Sequence, residues 1–435
     1  MQYGERLGAK EVEAYISLLD RKSVVLSDKI ETLNVSHTGG LGVRVVIDHQ
    51  SGFSATTSLT LGDVKRAVEK AQVIAKLSPP DKDWVALPKK TGKVDNVQTF
   101  DEKIAELEPS TLVQEAIQII DTVADMGENL SVTRGEVSTE LESTVIVNSY
   151  DCELVRKGTF ASAYISVKAE RGGEKGVSSE SHQTRIWREL DCNLITKRAI
   201  DRALKVIHAR PEARGRMPIV WHNKLFASVL GIMFGRTLSA DEVQKGRSPW
   251  AGKVGKRIAS KHVHLIDDGL LMTGVGTREF DDDGIPQRRV PLVEEGILKG
   301  FLYDNYTANK ERRESTGNSN RDYASLPLPS VNNLILHPQM KKGELLADIK
   351  RGLYLVEAIG TWLSNPISGD LSATATNAFL IEDGELTKPI KGVIVSGNFF
   401  DILENKIELI ADDVENLGSI YAPSVKITEM SVTGT

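Results

Sequence analysis

His262-Val263-His264, followed by Asp267 and Asp268, is the most metal-like grouping in the chain. On a strand the two imidazoles would share one face, as a chelating pair needs. No third ligand stands at a convincing spacing, so the expectation is an alternating strand edge that ends in an Asp-Asp-Gly turn. Asp281-Asp282-Asp283-Gly284 offers the oxygens a hard cation takes but lacks the alternating ligands of a calcium loop, and it reads as a solvated turn. The stretch from Gly246 to Val254 imitates a phosphate loop with a spacing one residue too long. Val254 replaces the hydroxyl residue that would hold Mg²⁺, and Pro249 removes an N–H from the cradle, so nucleotide binding is not expected there. Lys245, Arg247, Lys253, Lys256, Arg257 and Lys261 form a basic stretch with one aromatic, Trp250. It reads as a solvated loop rather than a nucleic-acid surface. Neither H-E-x-x-H nor G-x-S-x-G occurs, which removes the common zinc helix and the serine-hydrolase elbow.

The elements that must position any site follow from periodicity. Glu11–Leu19 and Ser23–Leu26 alternate as strands, and Gly39–Gly42 reads as a turn into Val43–Ile47. A helix is expected after Thr60, with Val64, Ala67, Val68, Ala71, Ile74 and Ala75 on one face. Residues 78–109, rich in proline and charge, read as a connector. A second helix spans about 110–126, and short strands follow at 130–139, 143–148, 153–157, 160–169 and 176–187. Another helix is expected over 193–208. The two regions share one plan of meandering strands and an apolar-faced helix, which points to duplication, with a chance likeness of two α/β units as the alternative.

Beyond Gly215 come a strand at 217–221, a helix at 224–238 and many short strands. Hairpins turn at Glu294-Glu295-Gly296 and Asp383-Gly384, and one later helix is expected at 342–351. The fold class expected is α+β. It comprises an N-terminal α/β domain (1–77), a connector (78–109), a central α+β domain (110–215) and a β-rich C-terminal domain (216–435).

The 435 residues carry 54 Lys plus Arg against 60 Asp plus Glu, a net charge of −6. That balance argues against a dedicated nucleic-acid binder. No apolar run is long enough for a membrane span, and the opening residues lack a secretion signal, so a cytoplasmic protein is expected. Two cysteines, Cys152 and Cys192, fit a reducing compartment.

Longer phrases carry more information than these spacings. Leu41-Gly42-Val43-Arg44-Val45, Asp241 to Ser248, Ile266 to Gly269, Phe280 to Pro286, Ser315 to Asn318 and Asn365 to Asp370 occur in order along the chain. Together they resemble the TldD/PmbA family, also called modulators of DNA gyrase. The resemblance implies a metallopeptidase that degrades unfolded polypeptides or processes small peptides. It also implies a heterodimer in which a TldD-like subunit carries a zinc helix, H-E-x-x-x-H, and a later cysteine. In this chain the three helix positions, counted back from Asp241, hold Gly231, Ile232 and Arg236, and no cysteine follows Cys192.

The chain therefore resembles the PmbA/TldE-type subunit, with no catalytic or metal-ligating residue of its own, no cofactor in this chain and zinc in the partner. The resemblance implies an unfolded or extended peptide as substrate and a homodimer where the partner is absent. Trp362, Ser364, Asn365 and Gly369 would line the peptide groove. The alternative is a regulatory module acting on a protein such as DNA gyrase without proteolysis.

Overall fold

The computed structural model describes residues 1–434. After a short helix α1 (Gln2–Arg6), the chain forms β1 (Glu11–Leu26), β2 (Ile30–Ile47) and β3 (Gln50–Thr56), then helix α2 (Leu61–Leu77). The connector contains one helical turn, α3 (Glu102–Ala105). Helix α4 (Pro109–Met126) leads into β4 (Leu130–Asn148), β5 (Glu153–Arg171), β6 (Glu174–Thr184) and helix α5 (Cys192–Lys205). These six strands make one antiparallel sheet in the order β3-β2-β1-β4-β5-β6. The order is palindromic: two meanders meet through their first strands, with Glu13 opposite Asn148 and Leu26 opposite Gly135.

Each meander is followed by a helix that lies on its own outer strands, α2 on β2 and β3, α5 on β5 and β6. The contact is close enough to need a glycine at the equivalent place. A Cβ on Gly52 would lie 2.0 Å from the Ala71 carbonyl, and one on Gly176 would lie 2.1 Å from the Ala203 carbonyl. Both helices begin on side-chain caps: Thr60 accepts from the Asp63 N–H and Asp191 from the Leu194 N–H.

Strands expected as pairs of short runs prove continuous. β1 runs unbroken through Asp20–Lys22, β4 through Glu140–Glu142, and β5 through Gly158. Neighbouring strands, on both sides for β1 and β4 and through β4 at Gly158, supply backbone partners, so these interruptions do not end the strand. Gly39–Gly42 is likewise inside β2 and is not a turn. Its glycines make room instead: a Cβ on Gly42 would sit 2.4 Å from the Tyr323 carbonyl.

The rest of the chain starts with β7 (Gly215–Trp221) and helix α6 (Asn223–Phe234). β7 lies between the strands Arg351–Ile359 and Val425–Thr433, and the sheet continues through Ile394–Asn398 to Asp370–Glu382. That last strand also pairs with Arg351–Ile359, which closes five strands into a ring. A separate six-stranded sheet holds Leu265–Asp268, Arg289–Glu294 and Leu334–Leu336, with Ile420–Ala422 and Glu415–Leu417 at one edge. One continuous apolar core, including Trp221, Phe226, Phe234 and Trp250, fills the space between these layers. The architecture is α+β, with a β-rich C-terminal part. The helix expected at 342–351 is a correction: only Lys342–Glu344 makes a single tight turn. Gly343 weakens a helix there, and Leu345 and Ile349 bury against Tyr354 and Val356 of the ring instead.

Candidate functional site

Helix α6 is the element the sequence marks for chemistry, and two layers hold it. It packs on Arg351–Ile359 of the ring and on the edge strands Glu415–Leu417 and Ile420–Ala422. Apolar residues surround most of its circumference, which is why it is buried rather than amphipathic. Its start is fixed by Asn223, whose Nδ2 donates to the Asp413 carbonyl at 2.7 Å. Its end comes at Gly235, whose N–H donates to the Gly231 carbonyl.

A buried ionic cluster then ties α6 to the six-stranded sheet. Lys224 of α6 pairs with Glu180 of β6, and Arg202 of α5 reaches the same carboxylate at 2.8 Å. Burial alone would raise the Glu180 carboxyl; Arg202 and Lys224 outweigh it and hold the group below its ordinary value. Beside them, burial pushes His222 down to about 3, so its imidazole is neutral.

Gly231 and Ile232 lie on α6, and Arg236 stands two residues past its end. A Cβ on Gly231 would lie 3.3 Å from Ile420 Cγ1. Ile232 is half-buried. Arg236 is exposed and pairs with Glu242 at 2.7 Å. A glycine, an aliphatic chain and a cation offer no lone pair to a metal, so these positions do not fit zinc. Among the described residues, no three His, Cys, Asp or Glu side chains come together in a metal-holding arrangement. His262 lies in a turn and His264 directly ahead of the strand Leu265–Asp268, so the expected strand edge begins only after the two histidines. The cause is local: the Val263 N–H turns back to the Ser260 carbonyl.

The loop after Ile359 packs directly against α6. Gly360, at φ +86°, turns the chain into the short helical turn Thr361–Leu363. Trp362 is 66% exposed and Leu363 78%, with Ile359 and Ile367 also open to solvent. Ser364, Asn365 and Gly369 hold the loop in shape. Asn365 Oδ1 accepts from the Ile367 and Ser368 N–H groups, and the Gly369 N–H donates to the Asn365 carbonyl at 2.8 Å. Ser364 Oγ accepts from the Ser372 N–H. Of the four loop residues singled out by sequence, Trp362 and Asn365 are exposed, Ser364 is half-buried and Gly369 is buried.

Asp281-Asp282-Asp283 corrects the expectation of a solvated turn, since all three are fully buried. Arg156 and Arg278 reach Asp282 at 2.5 and 3.1 Å. Burial alone would raise Asp282; those two guanidinium groups outweigh it and hold the carboxyl far below its ordinary value. Asp281 accepts from the backbone N–H groups of Asp283, Ile285 and Ser319. Close by, Glu13 of β1 receives Arg321 at 2.6 Å and Arg44 of β2 at 3.1 Å. Sequence reading missed this cluster. Its signal was the charged pair Glu13 and Arg44, each flanked by buried apolar residues and directly opposite one another in the β1–β2 register. A charge at such a strand position needs a buried partner. Trp250, the aromatic of the basic stretch, is buried as well, stacked on Phe234 with its indole N–H donating to Thr237.

Three family models match in chain order. They are PmbA/TldA metallopeptidase domain 1 over residues 20–75, the central domain over 97–206 and the C-terminal domain over 214–434. An uncharacterized protein of Methanocaldococcus jannaschii is 31% identical over 97% of this chain and 94% of its own length. A metalloprotease TldD homolog of Haemophilus influenzae is 28% identical over 97% of this chain and 92% of its own. The crystal structure of TldE from Thermococcus kodakarensis superimposes with a TM-score of 0.90 at 25% identity, covering 100% of this chain and 98% of that one. No helix of the described residues is long and apolar enough to cross a membrane.

Proposed function

Since the chain belongs to the PmbA/TldD metallopeptidase family, we propose that it serves as the TldE/PmbA-type, non-catalytic partner of a zinc-bearing TldD-type subunit. The observation that carries this reading is the occupancy of the helix positions. Gly231 and Ile232 on α6, with Arg236 just past its end, stand where the resemblance implies H-E-x-x-x-H in a zinc-bearing subunit, and a Cβ at 231 would already meet Ile420 Cγ1 at 3.3 Å. The helix itself is kept, clamped by Glu180 and packed from two sides. A retained scaffold with absent ligands suits a subunit that shapes a shared peptide groove and leaves hydrolysis to its partner.

The role proposed for this chain is to bind and orient an extended peptide. Trp362 and Leu363 offer apolar surface beside α6, and sheet edges accept extended chains by backbone hydrogen bonds regardless of sequence. The test is an unfolded-peptide cleavage assay on this chain alone, on a zinc-bearing TldD-type subunit alone and on the mixture, with zinc measured by elemental analysis. Cleavage should need the zinc-bearing subunit and rise on mixing, and Trp362→Ser should lower the mixture's activity without unfolding this chain. Chelator-sensitive cleavage by this chain alone would overturn the reading.

A further inference from the structure

A cavity of about 520 Å³ opens where the connector crosses the C-terminal region, away from α6. Three segments build it: residues 85–91, residues 285–288 and residues 305–315. Lys89, Lys90, Arg288 and Arg313 line it against a single carboxylate, Glu314. In a chain with net charge −6 this is a local reversal of sign.

The cations are only partly committed to the protein. Lys89 lies over the Tyr150 ring at 4.7 Å, and neither it nor Lys90 has an ion-pair partner among the described residues. Arg288 meets Glu314 only at 3.9 Å. Arg313 rests on the Tyr303 ring at 4.2 Å, gives one N–H to its hydroxyl and meets Glu311 only at 3.8 Å. The wall between them is apolar, formed by Pro88, Ile285 and Pro286, while the Asn305 amide holds the connector in place through the Ala86 carbonyl at 2.8 Å. The volume falls within the range of small-molecule sites, and convergent cations over an apolar floor favour an anion attached to a compact organic body.

We propose that this cavity binds a small organic molecule carrying two or more phosphate or carboxylate groups. Such a ligand bridges the connector and the C-terminal region, because its anionic groups must reach Lys89 and Lys90 on one side and Arg288 and Arg313 on the other. None of the residues that line this cavity lies on α6.

Calorimetric titration of the full chain with pyrophosphate and with citrate, at fixed ionic strength, tests it. Saturable binding of one probe per chain is expected, and the tighter probe distinguishes phosphate from carboxylate recognition. Lys89→Glu with Lys90→Glu should weaken that binding at least tenfold, and Arg288→Ala, a second variant at a different wall, should weaken it as well. Lys256→Glu with Lys261→Glu, exposed lysines of the basic stretch that do not line the cavity, should leave it unchanged. Amide exchange over residues 85–92 should slow when the probe is bound. No saturation by either probe, or equal weakening in both lysine pairs, would overturn the assignment.

Discussion

The two meanders of the six-stranded sheet are alike on the side that carries their helices and unlike where they meet the C-terminal region. On the helix side each has a capped helix pressed onto a glycine of its outer strand, Gly52 under α2 and Gly176 under α5. The first meander docks through charges on the face of β1 and β2, where Glu13 and Arg44 meet Arg321 and Asp283. The second docks chiefly through its outer strand and helix, where Glu180 and Arg202 meet Lys224 and Glu357, and adds Arg156 of β5 to the first cluster at Asp282. One packing solution thus serves twice, while the docking contacts are specific to each position. The lesson is that a helix–strand contact is set by local backbone approach, whereas a docking contact is set by what the third region presents.

The largest expected effect separates the two docking clusters. Arg321→Ala removes a fully buried guanidinium from Glu13, whose side chain is 1% exposed, and leaves it only Arg44, which Asp283 shares. Breaking a buried pair in this way costs about 3–5 kcal/mol. Lys224→Ala leaves Glu180 its Arg202 partner, and a lost charged hydrogen bond of that kind costs about 1.5–3 kcal/mol. Denaturant melts of both variants check the order; equal losses would mean that the clusters carry equal weight.

The next effect tests the likeness on the helix side. Gly52→Ala and Gly176→Ala each place a Cβ about as close to a helix carbonyl, so the helix must lift from the strand in both. Overpacking of this kind costs roughly 1–3 kcal/mol, and the two losses should agree within about 0.5 kcal/mol. A wide gap between them would break the equivalence.

Much of this architecture was legible from sequence, for identifiable reasons. The helices α2, α4 and α5 carry clean 3.6-residue patterns, and the tight turns at Gly296 and Gly384 announce their hairpins. The strand lengths were not legible, because Asp20, Glu140 and Gly158 look like interruptions until neighbouring strands supply their backbone partners. At the candidate site, the residue types alone made legible that Gly231, Ile232 and Arg236 offer a metal no ligand. The buried aspartates 281–283 could not, since an Asp-Asp-Asp-Gly run signals solvent until the distant Arg44, Arg156 and Arg321 join the nearby Arg278 around it.

A smaller effect separates the clusters by pH. Near the first, burial and then the Asp283 carboxylate push Asp304 up to about 7, and burial pushes Asp267 to about 7. A carboxyl with a raised native pKa keeps a proton that the unfolded chain has lost, so its stabilisation is full below about pH 4 and is lost as pH rises through 7. Glu180, held low, has the opposite sign: its contribution is present above its ordinary value and fades as acid takes the pH below it. The melting temperature should therefore fall between about pH 4 and 7. Asp304→Asn, which keeps the acceptor of the Thr307 N–H, should flatten that slope, while Glu180→Gln should leave it intact. An unchanged slope in Asp304→Asn would remove that aspartate from the account.

The smallest effect asks how far the likeness of the two helices extends. Thr60 and Asp191 both cap, accepting from the N–H three residues on at 3.3 and 2.8 Å. Replacing either by Ala leaves that donor without its side-chain acceptor and costs about 1 kcal/mol. The two caps differ in charge. Asp191 places a carboxylate at the positive end of the α5 dipole, which adds about 0.3–1 kcal/mol at low ionic strength, whereas Thr60 is neutral. Asp191→Ala should therefore lose more than Thr60→Ala in dilute buffer, and the excess should shrink as salt screens the charge. Paired urea melts at low and high salt measure this directly. If the gap between the variants is absent at low salt, or does not narrow with salt, the two caps act through hydrogen bonding alone and the helix sides are equivalent in charge as well as in packing.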